Sequence, residues 1–392
     1  MKKILYLTFY FEPDLCAGSF RNTPLVKELA KQLSGKAHLD VVTTLPNRYS
    51  SFEIDAPEYQ HEDNYSIYRI AIPKHQSGMK DQILSFKKFY QKTLKYVSDK
   101  EYDLVIASSS RLFTAFLGYR IAKKKDVPLY LDIRDIFYDT LEDVLDSELV
   151  KFFTLPIIKK IESKTFGFAS HINLISEGFR PYFSNYKNCN YSYFPNGIDN
   201  VFLEGNANSS TIRKENTIKT IVYAGNLGEG QGLHKIVPQA AKKLGDNYKF
   251  IIIGDGGAKG KLLNELEKLK VTNVEVRPPV KRDQLIEEYK NADFLFVHLN
   301  NYKAFEKVLP SKLFELATFP QPIIAGVGGY ANTFVKENIE NSILFDPCDV
   351  DAFVYGVLNY KYKVIERSSF LKKFTRDQVN YEMAQTMIKY IY

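Results

Sequence analysis

Lys312 and Glu315 stand three residues apart in VLPSKLFELATFPQPIIAG, residues 308–326. That spacing puts a cation and a carboxylate on one side of a single helical turn. Pro310 suits the first position of such a helix, with Ser311 beside it. A cation at the positive end of a helix dipole is unfavourable unless an anion sits there. A Glu one turn further in can accept hydrogen bonds from two adjacent hydroxyls. A nucleotide diphosphate offers both partners. Its phosphates would lie at Val308, Leu309, Pro310, Ser311 and Lys312, and its ribose hydroxyls at Glu315. The competing reading is a solvated Glu on an ordinary helix face.

Two glycine-rich turns could add backbone N–H groups for phosphate. YAGNLGEGQGL (223–233), with Gly225, Asn226 and Gln231, runs into a helical pattern, and GDGG (254–257) brings Gly254. Either is equally a tight strand-to-helix turn without a ligand. The G-x-G-x-x-G spacing follows the first strand nowhere, which argues against a dehydrogenase. Near the start, AGS (17–19) places Gly18 where backbone can approach a ligand. It also reads as a flexible connection into a helix opening at Thr23, with Pro24 first. LDIRDIFYD (131–139) ends a buried run with Asp132, Arg134 and Asp135. Charges at the carboxyl end of a parallel strand face a ligand; a structural ion pair is the alternative. SSSR (108–111) is a weaker signal of the same kind.

These loops need a frame. Runs of apolar residues at 4–9, 39–45, 103–109, 128–134 and 171–176 have the composition of strands buried on both faces. Helical patterns lie between them, so right-handed βαβ units follow. A polar stretch, FLEGNANSSTIRKENT (202–217), reads as a linker. The alternation restarts at 220–225, 249–256, 273–280, 294–299, 322–326 and 342–347. The expected fold is α/β, with two Rossmann-like domains facing across a cleft. The first spans 1–203 and the second 204–375, and a C-terminal helix at about 376–392 is able to pack back on the first. Ligands of open α/β sheets bind beyond the carboxyl ends of the strands.

The chain has 392 residues, 45% hydrophobic and 25% charged, a size that favours two domains. Three scattered Cys read as reduced thiols in a cytoplasmic protein. The opening apolar run, Ile4 to Phe11, imitates a leader but is read as a first strand. No apolar run approaches the roughly 18 residues of a membrane span. A net charge of +7 favours acidic partners only mildly. No Asp-x-Asp accompanies the loops and His is scarce at 6, so neither metal nor cofactor is expected.

Taken in order, EPDLCAGSFR (12–21), DIRDIF (132–137), SEGFR (176–180), FPNGID (194–199), YAGNLGEGQGL, GDGG, RPPV (277–280, with Pro279) and LPSKLFELATFPQPIIA (309–325) resemble retaining GT-B glycosyltransferases of family 4. The resemblance covers nearly the whole chain, among bacterial enzymes that build surface polysaccharides. It implies transfer of a sugar from a nucleotide-diphosphate donor, UDP by family frequency, to a glycan or lipid-linked acceptor, with retention. Glu315 looks like the second Glu of that family's paired motif, the ribose ligand. The first falls on Lys307, with Glu306 one position off. Asn226 and Gln231 stand where many relatives carry an Arg and a Lys on the diphosphate. The family's His-Asp pair falls on Arg134 and Asp135. The resemblance thus implies catalytic roles for Arg134, Asp135 and Lys312. Donor contacts fall at Gly18, Gly225, Asn226, Gln231, Gly254, Pro279 and 308–312, with Glu315. Two other readings stay open: a non-catalytic nucleotide-sugar or glycan binding protein, and a nucleotide-sugar epimerase.

Residues 79–100 read as a helix. Met79, Ile83, Phe86, Tyr90, Leu94 and Val97 form an apolar stripe expected to face the core. Lys88, Lys92 and Lys95 lie opposite, flanked by Phe89 and Tyr96. Such a face suits an anionic membrane surface, placing the protein on the inner face of the cell membrane. An ordinary solvated Lys face is the alternative.

Overall fold

A computed structural model describes residues 1–14, 16–46, 55–73, 79–109, 112–144, 148–207 and 218–392. The chain divides into two compact units, Met1–Asn196 with Asp377–Tyr392, and Gly197–Arg376.

The first unit carries β1 (Lys2–Leu7), α1 (Ala17–Gln32), β2 (Ala37–Thr44), β3 (Tyr59–His61), β4 (Tyr65–Ile70), α2 (Met79–Tyr96), β5 (Leu104–Ser109), α3 (Leu112–Lys125), β6 (Leu129–Ile133), α4 (Phe137–Val144), α5 (Glu148–Phe168), β7 (His171–Leu174) and β8 (Asn190–Ser192). Its eight-stranded sheet runs β3-β4-β2-β1-β5-β6-β7-β8. Every pairing in it is parallel except β3 with β4. All residues of β5 and β6 are buried, as continuous apolar strands between helical layers must be.

The second unit carries α6 (Asn200–Ala207), β9 (Lys219–Asn226), α7 (Leu233–Leu244), β10 (Tyr248–Asp255), α8 (Lys259–Lys268), β11 (Val274–Arg277), α9 (Arg282–Asn291), β12 (Phe294–His298), α10 (Lys312–Leu316), β13 (Ile323–Gly326), α11 (Gly329–Asn338), β14 (Ser342–Phe345), α12 (Val350–Leu358) and α13 (Ser368–Phe374). Its parallel sheet runs β11-β10-β9-β12-β13-β14. Strand order reverses between β9 and β12, the switch point at which such sheets bind ligands.

A last helix, α14 (Arg376–Ile388), sends Met383, Ala384 and Met387 into the core of the first unit against Leu25 and Leu29 of α1. The expected boundary at 203/204 falls within α6, whose Phe202 packs in the core of the second unit with Ile286. The remainder of the 202–217 stretch, residues 208–217, lies outside the described residues, as do Ser110 and Arg111.

Two helices differ from expectation. α1 begins at Ala17, with Pro24 inside it rather than at its start. Phe20 N–H already donates to the Cys16 carbonyl, so the first turn closes before Pro24 is reached. Gly18 therefore lies in a helical turn, not in a flexible connection. In α2 the buried positions among the described side chains are Ser85, Phe89 and Thr93, continued by Val97 just beyond its end. Ile83, expected in the core, is exposed, and Phe89, expected outside, is fully buried. Tyr96 stacks on Tyr68 at 4.2 Å. The hydroxyls of Ser85 and Thr93 disguise the buried face as a polar one. Lys88, Lys92 and Lys95 remain exposed.

Candidate active site

Lys312 is the first residue of α10, a helix of one turn. Pro310 and Ser311 precede it instead of opening it, so little dipole builds behind Lys312. Its Nζ donates to Glu315 Oε2 at 2.7 Å, with each side chain about a quarter exposed. Cation and carboxylate thus hold one another. Val308, Leu309 and Pro310 are half-buried and Ser311 is exposed.

The aliphatic end of Lys312 lies over the end of β9. A Cβ built at Gly225 would meet its Cε at 3.8 Å. Gly225 has φ +155°, a conformation that side chains avoid. Gly254 pairs with it on β10, also at φ +155°, where a Cβ would stand 1.9 Å from the Gly225 carbonyl oxygen. Gly254 is thus required by the close approach of two strands.

The turn after β9 is closed by its own amides. Asn226 Nδ2 donates to Gln231 Oε1 at 2.9 Å, and Gly228 N–H donates to the same oxygen at 3.3 Å. Leu227 N–H donates to the Asp255 carbonyl at 2.9 Å. Asn226 and Gln231, expected to face phosphate, face each other. The backbone N–H groups of residues 227 and 228 are already engaged.

Residues far along the chain brace this turn. His298, at the end of β12, donates from Nδ1 to the Gln231 carbonyl at 2.6 Å and accepts from Cys348 N–H at Nε2 at 2.9 Å. Burial pushes its pKa down to about 4, so the ring is neutral with the proton on Nδ1. Asn300 Nδ2 donates to the Glu229 carbonyl at 2.7 Å, and Lys235 Nζ donates to Asn300 Oδ1 at 3.0 Å. Sequence reasoning missed His298 and Asn300, because no local spacing marks a partner some 70 residues away. It also missed Tyr289 of α9, whose hydroxyl is buried with no hydrogen-bond partner. Burial raises that phenol well above its usual value, and the Glu315 charge adds to the effect.

Beyond the ends of β12, β13 and β14 lies a cavity of ≈ 280 Å³ lined by Asn300, Tyr302, Phe305, Glu306, Gly329 and Asp346, among others. Glu306 is exposed, and its carbonyl is pressed against Gly329. Pro279 is exposed after β11, the edge strand, two strands away from β9.

In the first unit the charged cluster at the end of β6 divides. Asp132 is fully buried and takes Arg21 Nη2 at 2.8 Å and Nε at 2.9 Å. It also accepts from Ser108 Oγ and Asn173 Nδ2, each at 2.8 Å. Burial alone would raise its pKa; Arg21 outweighs that and holds it below the usual carboxylate range. Asp132 is therefore the structural ion pair. Arg21 spends its remaining N–H groups on the carbonyls of Phe194 and Pro195 and on Asn196 Oδ1.

Arg134 is different. Its head group lies deep beside Gly18, 3.5 Å from where a Cβ would stand, although part of the side chain meets solvent. Its Nε has no hydrogen-bond partner. Burial, and Arg21 nearby, lower its pKa against the pull of Asp132. Asp135 is exposed, with its pKa raised by partial desolvation. Arg134 is thus brought to Gly18 at the start of α1, and Asp135 faces outward.

Residues 206–368 match the family model described as glycosyl transferases group 1. A curated relative, the putative colanic acid biosynthesis glycosyl transferase WcaI of Escherichia coli K12, is 24% identical over 213 residues, 48% of this chain and 51% of the relative. The chain thus spans about half the length of that relative. Among solved structures, Anabaena Alr3699/HepE in complex with UDP superposes with TM-score 0.61 at 15% identity, covering 99% of this chain and 100% of that one. The lipopolysaccharide outer core galactosyltransferase WaaB superposes with TM-score 0.62 at 14% identity, covering 98% and 99%. Residues 206–368 are thus similar to glycosyl transferases group 1, and the chain has the GT-B fold of two Rossmann-like units.

Proposed function

We propose that the protein is a retaining glycosyltransferase of family 4. It moves a sugar from a nucleotide-diphosphate donor, a UDP-sugar, to a glycan or lipid-linked acceptor in surface-polysaccharide synthesis. The observation that carries this reading is the Lys312–Glu315 pair beside Gly225, inside the matched domain and at the carboxyl end of the strand next to the switch point. The UDP named with HepE and the colanic acid named with WcaI support the donor and the product class.

On this reading the second unit holds the donor. Glu315 accepts the two ribose hydroxyls, and Lys312 turns from Glu315 to the diphosphate. Because the amides of 227 and 228 are engaged and Pro310 has no N–H, Lys312 supplies most of the positive charge. Gly225, Gly254, Asn226 and Gln231 shape the floor of the site; Val308, Leu309 and Ser311 form one wall, and Pro279 lies near the base. In the first unit, Gly18 packs closely on Tyr10 beside Arg134, whose unpartnered Nε is offered to an anion of donor or acceptor, and Asp135 meets the acceptor. Retention follows if the leaving phosphate oxygen assists attack from the same face. The protein's contribution is then positioning and stabilisation of a departing diphosphate.

The mutual pairing of Asn226 and Gln231 favours a second reading, a non-catalytic binder of nucleotide sugars. Incubation with a panel of nucleotide sugars, reading release of nucleoside diphosphate and transfer to test acceptors, separates the two. Release or transfer lost in Glu315→Gln supports the enzyme. Thermal stabilisation by a nucleotide sugar with no turnover on any acceptor supports the binder.

A further inference from the structure

We infer that the first unit docks on an anionic lipid bilayer through the N-terminal half of α5, with the lysines of α2 and of α5 itself as its electrostatic flank. This rests on the surface of one unit and is independent of the donor reading.

Soluble helices hide their apolar face, yet α5 displays one. Leu149 is 69% exposed, Phe152 73%, Phe153 63% and Ile157 60%. They recur at helical spacing on the first turns of a 21-residue helix. On its other side Ile158, Glu162 and Phe166 are buried, so the helix is already packed and its outer stripe is surplus to the fold. Apolar residues gathered in this way mark an interaction surface.

The surroundings of the stripe decide what covers it. α3 packs against both neighbours, through Phe86 of α2 and Phe113 at 5.5 Å, and through Tyr119 and Phe168 of α5 at 5.4 Å. The three helices therefore form one layer. Their exposed residues include Lys88 and Lys92 on α2, Lys123 and Lys124 on α3, and Lys160 and Lys164 on α5. The acids in these three helices are Asp81, Glu148 and Glu162, the last buried beneath Tyr182, and α4, which packs on α5, adds Asp139, Glu142 and Asp143.

An aromatic and aliphatic stripe with Lys160 and Lys164 following it on the same helix, and Lys88 and Lys92 on α2, fits the headgroup boundary of an anionic leaflet. A second copy of the same face would set lysine against lysine. A nucleic acid would leave the apolar stripe uncovered. Leu84 of α2, also exposed, extends the apolar surface from the same side of the layer. Crossover helices run antiparallel to their strands, so the first turns of α2 and α5 lie toward the carboxyl ends of the sheet. That is the side on which Gly18 and Arg134 sit.

The chain contains no Trp, so Phe152→Trp installs a single reporter. The expected result is a blue-shifted emission with phosphatidylcholine–phosphatidylglycerol vesicles, quenched by brominated acyl chains, and none with phosphatidylcholine alone. Sedimentation with the vesicles should weaken as salt shortens the Debye length from about 10 Å to 3 Å. Phe152→Ser with Phe153→Ser should lower partitioning about tenfold to hundredfold, and Lys160→Glu with Lys164→Glu should lower it for anionic vesicles. Nucleotide binding should be unchanged in both, which separates this idea from the donor reading. The proposal fails if wild-type protein stays in the supernatant at low salt, or if the serine pair sediments like wild type. It also fails if the serine pair abolishes a dimer seen without lipid, since a second copy then covers the stripe.

Discussion

Replacing Lys312 with Ala tests the proposed division of labour in the donor site. Two unit charges 4 Å apart attract by about 4 kcal/mol at an effective dielectric of 20. Lys312 is 24% exposed, so solvent screens part of that. In the free protein its Nζ is held by Glu315 at 2.7 Å, a partly exposed pair worth about 0.2–1 kcal/mol that the ligand must loosen. A net loss of about 1–3 kcal/mol remains for a diphosphate. That is roughly 5-fold to 150-fold in Kd at 1.4 kcal/mol per decade. Uridine, which carries no phosphate, should lose almost nothing. Glu315→Gln removes a charged acceptor, worth about 1.5–3 kcal/mol, and should weaken UDP and uridine alike. Because the two side chains touch, the double mutant should depart from additivity by at least about 0.5 kcal/mol. Titration calorimetry with UDP and uridine measures all of this. Equal losses on both ligands for Lys312→Ala would make it a structural residue and pass the charge to Arg134. Unchanged UDP binding in Glu315→Gln would remove the ribose assignment.

Gly254→Ala should abolish soluble folded protein, since its Cβ would stand 1.9 Å from a backbone oxygen, whereas Gly257→Ala, with nothing within 4 Å, should leave Tm nearly unchanged; similar melting curves for the two would overturn the packing argument. Asp132→Asn leaves Arg21 buried without its counter-charge and should cost about 3–5 kcal/mol in urea unfolding; a loss below about 1 kcal/mol would show that the pair relaxes freely. His298 titrates near 4 when folded against a usual 6.5, so the unfolded chain takes up its proton first as pH falls. Its contribution is full above about pH 6.5 and lost progressively toward pH 4, up to about 3 kcal/mol. His298→Gln should flatten that part of the acid profile, and an unchanged slope between pH 6.5 and 4 would count against the buried neutral ring.

Long apolar runs made the central strands legible. Those forming β1, β2, β5, β6 and β7, and all of β9 to β14, were read from composition alone. β4 was not. Its sequence, YSIYRI, puts Ser66 and Arg69 among apolar residues, and both are buried by tertiary partners that no local pattern announces. In α2 the period was right and the phase wrong, because Ser85 and Thr93 face the interior. The Lys312–Glu315 spacing was visible, but not that the two would pair. Asp132 and Arg134, two residues apart, differ in role only because Arg21 reaches one of them from 111 positions away. Side chains on strand ends declare their type in sequence. Which of them is consumed by a neighbour is decided by the fold.

The seat of α14 bears on how the chain comes to be folded at all. Met383, Ala384 and Met387 complete the core that Tyr6, Leu25 and Leu29 begin. Between those two sets of residues the ribosome must make the whole second unit. At about 5–20 residues per second that is a wait on the order of 10–40 s. During it the newly made α1 and β2 keep an apolar flank without its cover. The second unit, whose residues are contiguous in the chain, needs no such wait. The half of the protein synthesised first is thus the half finished last, and a holding chaperone would find its client there.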